Sequence, residues 1–271
     1  MKGDGAVVPG KRAWRTAGVT YHRPMDTFAL VVVAWMAVAV VTLPVLLRVR
    51  APYGRHVKPG WGPTIGNRWG WFLMELPALL LMPLLTVLGP REKDALTWLL
   101  VGLWCVHYVN RTLIFPFRLN TQGKRMPLAI VFSAIGFNAV NGGLNGWWLG
   151  FAAPPDRPVP DALSLMGTGL FVAGMLINHW ADTKLIGLRA RGTGYVVPRG
   201  GLFERISCPN HFGEIAEWTG FALAAWSLPA LSFAVWSFCN LAPRARNHHA
   251  WYRERFPDYP AGRRAVIPYI W

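Results

Sequence analysis

Two polar side chains stand inside apolar runs that should exclude them: Glu75, within Trp71-Phe72-Leu73-Met74-Glu75-Leu76-Pro77, and Tyr108, which ends Trp104-Cys105-Val106-His107-Tyr108. A carboxyl group in an apolar layer needs a donor, a partner charge or a proton, so it is a functional candidate by default. A lone buried tyrosine is more often a packed ring with one hydrogen bond. Here the two fall at similar depth on neighbouring runs, and a direct Glu75–Tyr108 hydrogen bond would satisfy both. Such a pair can donate toward an oxygen that gains negative charge, as a carbonyl oxygen does when the β-carbon of a conjugated enone is reduced.

A second set of residues repeats at helical spacing. Asn178 and Asp182 share a face at i, i+4, and Arg189 lies where that face would emerge; Glu214 and Glu217 share another at i, i+3. Arg244, His248 and Tyr252 follow at i, i+4, i+8, provided the last helix continues through Pro243. The segment 187–209 is rich in glycine and carries Arg189, Arg191, Arg199 and Arg205. Interhelical ion pairs, snorkelling interfacial cations and a solvated loop are the plain readings. The functional one is a polar cage for a nucleotide, with guanidiniums near its phosphates and amides and carboxylates near its ribose and carboxamide.

Other chemistries find less support. There is no G-x-G-x-x-G after a strand, so a Rossmann site is excluded and any dinucleotide would lie within a helical bundle. His248 and His249 are adjacent, pointing about 100° apart on a helix, and no carboxylate or cysteine sits at ligand spacing, so no metal site is expected. Cys105, Cys208 and Cys239 form no C-x-x-C pair and read as small apolar fillers. A formal charge of +15 is spread between the apolar runs and carries no nucleic-acid motif, so no nucleic-acid partner is expected.

The elements that must position these groups follow from composition. Hydrophobic residues make up 53% of the chain, charged residues 15%, and there are 15 tryptophans, which suits long runs facing lipid with rings at the interfaces. Runs of about 20 residues suffice to span. Seven are expected, at about 26–47, 69–88, 95–117, 126–151, 161–186, 211–226 and 228–246, the last two divided at Leu228-Pro229 by a hairpin rather than a kink. The fold class is an all-α integral membrane protein: a tail over 1–25, then one seven-helix domain over 26–271. With the N-terminus outside, the inner segments hold 19 basic residues against 8 in the outer ones, so the C-terminus is expected to be cytosolic. That orientation gathers the polar groups in the cytosolic half, where a soluble charged ligand would enter. In the fourth span Asn138, Asn141 and Asn145, with Gly136, Gly142, Gly143 and Gly146, read first as close helix packing.

Several motifs recur in order and spacing: Glu75-Leu76-Pro77, His107-Tyr108-x-x-Arg111-Thr112, Leu202-Phe203, Asn210-x-Phe212-Gly213-Glu214-x-x-Glu217-Trp218, Pro243-Arg244-Ala245, His248-His249-x-Trp251-Tyr252, Tyr259-Pro260 and Arg263-Arg264-Ala265-x-Ile267-Pro268. From about residue 70 to 271 the chain resembles the steroid 5α-reductase (3-oxo-5-alpha-steroid 4-dehydrogenase) family. Met74 stands where vertebrate members commonly have glutamine, and His211 replaces a frequent aromatic.

The resemblance implies a membrane reductase with a substrate site within 70–112 and a cofactor region within 178–264. It implies that Glu75 and Tyr108 contact a steroid 3-oxo group, and that NADPH binds Asn178, Asp182, Arg189, Tyr195, Asn210, Glu214, Arg244, His248 and Tyr252. The activity implied is NADPH-dependent reduction of the Δ4 double bond of 3-oxosteroids, in a monomer among membrane lipids. Trp71, Phe137, Phe233, Trp236 and Leu241 are the expected walls for the rings. Reduction of another enone, sterol or unsaturated lipid, a membrane methyltransferase, and a non-catalytic lipid carrier are the alternatives. Arginine outnumbers lysine 22 to 6, which points to a GC-rich bacterial source and its inner membrane; in a eukaryote the location would be the endoplasmic reticulum.

Overall fold

The structure, a computed structural model, describes residues 24–49, 60–121, 123–154, 160–190, 192 and 194–271. Most of the expected tail, residues 1–23, and Arg191 therefore lie outside the described residues. Each expected apolar run is a helix: α1 (Pro24–Arg48), α2 (Asn67–Leu88), α3 (Ala95–Val109) running into the short α4 (Phe115–Arg118), α5 (Leu128–Trp147), α6 (Ala162–Ala190), α7 (Pro209–Ala225) and α8 (Leu228–Arg255). Among the described residues, five stretches are long and apolar enough to cross a bilayer: Thr27–Arg48, Asn67–Leu88, Ala95–Arg118, Leu128–Ala152 and Ala162–Ala190. Helix α7 has only 17 residues, and α8 has 28 but ends in a basic stretch.

Local chemistry sets the boundaries. Asp94 caps α3 by accepting from the Thr97 N–H at 2.7 Å, and Arg91 bridges to that carboxylate at 3.1 Å. Between α3 and α4 the chain widens into a π turn over Asn110–Ile114, where the Phe115 N–H bonds to the Asn110 carbonyl five residues back. Pro116 follows in the first turn of α4, where its missing N–H is tolerated. The α7–α8 break is the expected hairpin: Trp226 takes φ 45° and ψ 48°, its N–H closes on Ala222, and α8 starts with Pro229 in its first turn.

One feature departs from an all-helical chain. Strands β1 (Thr64–Gly66) and β2 (Arg125–Pro127) pair antiparallel, with Ile65 opposite Met126. Pro127 disfavours helix at Met126 and so keeps β2 extended, and the pair clips together the starts of α2 and α5.

Two close approaches position the site. Helices α6 and α7 pack backbone to backbone: a Cβ added at Gly174 would lie 2.4 Å from the Glu217 nitrogen, and one at Gly213 would lie 2.6 Å from the Asn178 nitrogen. Helices α2 and α5 meet in the same way, with a Cβ at Gly146 falling 2.6 Å from the Met82 carbonyl oxygen. The buried centre is a ring cluster about Trp104, which touches Tyr108, Trp218, Phe221 and Phe233 at centroid distances of 4.9 to 5.6 Å. Its indole N–H donates to the Ala78 carbonyl at 2.9 Å. Helix α1 closes one side on α8, where the Trp236 indole N–H donates to the Trp35 carbonyl at 3.0 Å.

The chain after α8 folds back as a clasp. Arg264 and Ala265 exchange backbone hydrogen bonds with Arg205, Ser207 and Cys208. Arg263, 2% exposed, donates to the Pro198 carbonyl at 3.0 Å and to Glu204 at 3.3 Å, and lies over the Tyr259 ring. The Gly200 N–H, with Arg263 and Arg199 beyond it, holds the exposed Glu204 carboxyl below its ordinary range. Ser207 Oγ lies 2.6 Å from both His249 Nδ1 and the Tyr259 hydroxyl. The glycine-rich segment before α7 is thereby fixed from behind.

Candidate active site

All five expected wall residues line one chamber of about 420 Å³: Trp71 from α2, Phe137 from α5, and Phe233, Trp236 and Leu241 from α8. Helix α1 adds Trp35, whose ring lies 4.7 Å from that of Trp236. Glu75, His107, Tyr108, Arg111 and Asn138 line the same chamber. A more open groove of about 600 Å³ between α7 and α8 is lined by residues such as Leu223, Trp226 and Leu231 and has no ionisable group, so size does not locate the chemistry.

The acid pair is assembled differently from the direct bond expected. The Tyr108 hydroxyl donates to Asn138 Oδ1 at 3.4 Å, and Asn138 Nδ2 donates to Glu75 Oε2 at 3.1 Å. Glu75 Oε1 lies 3.6 Å from Arg111. The close α2–α5 packing brings the Asn138 amide between the two groups, with a further bond to the Met74 carbonyl at 2.7 Å. Tyr108 is 2% exposed and Glu75 9%, so both charges and hydroxyls are served by protein.

A second cavity, about 210 Å³, is polar. Asp182, Arg189, Tyr195, Asn210, Glu214, Arg244 and His248 line it, together with Arg111, Lys124 and His211. Because α8 continues through Pro243, Arg244 and His248 do share a face. Asn210 donates to Asp182 Oδ1 at 3.1 Å, linking α7 to α6. Two expected members stand aside: Asn178 does not line the cavity but donates to the Asn210 carbonyl at 2.9 Å, and Tyr252 lines a small adjoining cleft with Arg189 and Tyr195 while stacking on Tyr259. Arg199 faces Glu204 at 3.9 Å and Arg246 is exposed; neither lines the cavity.

The two chambers meet. Trp71, Arg111, Glu214, Leu241 and Arg244 line both. Arg111 stands on this wall 3.6 Å from Glu75 and lines the polar cavity together with Glu214 and Asp182. Four groups here were not among the expected site residues. Arg111 follows Tyr108 by three residues but is carried on the π turn, which a 3.6-residue period does not foresee. His107 pairs with Glu217 at 2.8 Å, both buried, which assigns Glu217 to a structural pair behind the chamber rather than to the cavity lined by Glu214. Asn138 carried a visible signal, its spacing with Asn141 and Asn145, but that signal equally fits packing. Trp35 lies in a stretch with no motif at all.

The arrangement suits a flat apolar ligand with one oxygen, beside an anionic ligand rich in hydrogen-bonding groups. The family profile of 3-oxo-5-alpha-steroid 4-dehydrogenase matches residues 124–271. The chain is 44% identical over 231 residues to the steroid 5-alpha-reductase DET2 of Gossypium hirsutum, covering 82% of this chain and 89% of the relative. It is 42% identical over 255 residues to the 3-oxo-5-alpha-steroid 4-dehydrogenase 1 of Bos taurus, covering 90% and 98%. With the corresponding protein of Homo sapiens the identity is 44% over 223 residues, covering 80% and 85%. A match over more than half the chain, together with relatives aligned over nearly their whole length, means that this chain belongs to the 3-oxo-5-alpha-steroid 4-dehydrogenase family of oxidoreductases.

Proposed function

We propose that the protein reduces the Δ4 double bond of 3-oxosteroids with NADPH, adding hydride at C5 and a proton at C4 to give the 5α-3-oxosteroid. The observation that carries this reading is the shared wall: an apolar, ring-lined chamber holding an acid pair abuts a cation-lined polar cavity through Trp71, Arg111, Glu214, Leu241 and Arg244. The donor set of the polar cavity fits the cofactor. Arg189, Arg244, Arg111 and Lys124 match pyrophosphate and 2′-phosphate charge, while Asp182, Asn210 and Glu214 suit ribose hydroxyls and a carboxamide. When bound, NADPH supplies a hydride.

The chain's own residues do the rest. Aromatic walls exclude water and hold the rings. Tyr108 donates toward the 3-oxo oxygen as negative charge develops there, and Glu75, held between Arg111 and Asn138, backs that proton. In this reading seven helices cross the membrane as one domain, the C-terminus is cytosolic, the cofactor enters from the cytosol and the steroid from the lipid. A monomer in a bacterial inner membrane completes the proposal.

A purified-protein assay of NADPH absorbance with a 3-oxo-Δ4-steroid should show substrate-dependent consumption and a 5α product. A second reading, reduction of another enone or sterol, is favoured by Met74 where glutamine is common in the family. Turnover of such a lipid with none of the steroid would replace the first reading.

A further inference from the structure

We propose that Asn138 is a positioning residue of the reaction, fixing which way the Tyr108 proton points and where the Glu75 carboxylate stands. This rests on the reductase reading above. Asn138 Nδ2 lies 2.7 Å from the Met74 carbonyl oxygen, which can only accept, so the amide nitrogen must face it. The same nitrogen donates its other hydrogen to Glu75 Oε2 at 3.1 Å. Both N–H bonds are then used, and the amide orientation is determined rather than free to flip.

Asn138 Oδ1 therefore faces the Tyr108 hydroxyl, and since an amide oxygen cannot donate, Tyr108 must. At 3.4 Å this bond is longer than the usual 2.5 to about 3.0 Å range for a hydroxyl donor. The resting chain thus parks the phenolic proton on a weak acceptor inside the chamber. A ketone oxygen gaining negative charge is a better acceptor, so the proton can transfer its bond to substrate at little cost. The same amide holds one Glu75 oxygen while Arg111 lies 3.6 Å from the other. Asn138 is 4% exposed and sits on α5, which packs closely against α2 at Gly142 and Gly146.

A packing residue and a positioning residue predict different energetics. If Asn138 acts through Tyr108, removing it matters only while the hydroxyl is present, and the two losses are not additive. The test is a double-mutant cycle on the full-length protein in detergent or nanodiscs: wild type, Asn138→Leu, Tyr108→Phe and the double variant. The shape-preserving Asn138→Asp, which loses the donation to Met74 and Glu75 when ionised, is run in parallel. Turnover is normalised to the number of NADPH-binding sites, so incomplete folding does not enter the rates.

Asn138→Leu should lower kcat about 10- to 100-fold with the NADPH Kd unchanged, and should lower it less than about threefold in the Tyr108→Phe background. Asn138→Asp should behave similarly. Equal fold-losses in both backgrounds would overturn the role and return Asn138 to packing. Absence of any wild-type turnover of 3-oxo-Δ4-steroids would instead overturn the reaction itself and the role with it.

Discussion

Around Tyr108, the Trp104 and His107 rings pack at 4.9 Å and Trp218 at 5.8 Å, so its hydroxyl has little freedom and its chemistry is set by the few polar groups that reach it. Tyr108→Phe and Glu75→Gln should each lower turnover by about 10²- to 10⁴-fold, the usual range for a lost acid or oxyanion donor. Binding of NADPH, followed by fluorescence titration, should survive both. Arg244→Ala and Asn210→Ala should do the opposite, raising the NADPH Kd and KM more than they lower kcat, since both residues line the polar cavity. Equal efficiency with NADH would contradict a 2′-phosphate contact by Arg189 or Arg244. Glu75 and Tyr108 were legible because a polar group in an apolar run needs explaining. Asn138 was not legible as their bridge, because which of three spaced asparagines faces them depends on how α5 rotates against α2.

The elements deliver these groups through packing that leaves no slack. Gly213→Ala would set a Cβ 2.6 Å from the Asn178 nitrogen, forcing α6 and α7 apart at the level of the Asn210–Asp182 bond. It should destabilise the protein by about 1–3 kcal/mol, as overpacking does, and weaken NADPH binding in the same variant. Thermal unfolding and a binding titration together read both effects. The clasp behind the site should be sensitive to acid. Burial, with Arg253 and Arg264 nearby, holds His249 below its ordinary value near 6.5 while its Nδ1 meets Ser207. A folded-state pKa lowered in this way favours the neutral ring, so its contribution is complete above pH 6.5 and is lost as pH falls below it. Proteolysis of the segment after α8 should therefore quicken below that pH in wild type and lose that dependence in His249→Gln. Helix positions were readable from apolar runs, and the Trp226 hairpin from the break before Pro229. The π turn at Asn110–Ile114 and the β1–β2 clip were not, since each depends on a few residues whose preferences only tertiary pairing resolves.

At the scale of the whole molecule, separate polar signals become one device. Glu75, Tyr108 and Arg111 come from the first half of the chain, Asp182, Asn210, Glu214 and Arg244 from the second, and the two chambers they line share a wall. In the proposed orientation that wall faces the cytosol, so a reporter fused after Trp271 should score cytosolic, and an external score would overturn the entry route for NADPH. The membership in the family was visible in motifs spread from Glu75 to Pro268, whereas Trp35, Thr42 and Leu46 of α1 entered the site without one. In the proposed reaction a steroid and NADPH meet across Arg111 and Leu241 with Tyr108 at the carbonyl, and isotope tracing in two parallel reactions tests it. With NADPH deuterated at the transferring position, the product should carry one deuterium at C5. In deuterated solvent with unlabelled NADPH, the label should appear at C4 instead. Label from the cofactor that is absent from C5, or found at C4, would contradict the account.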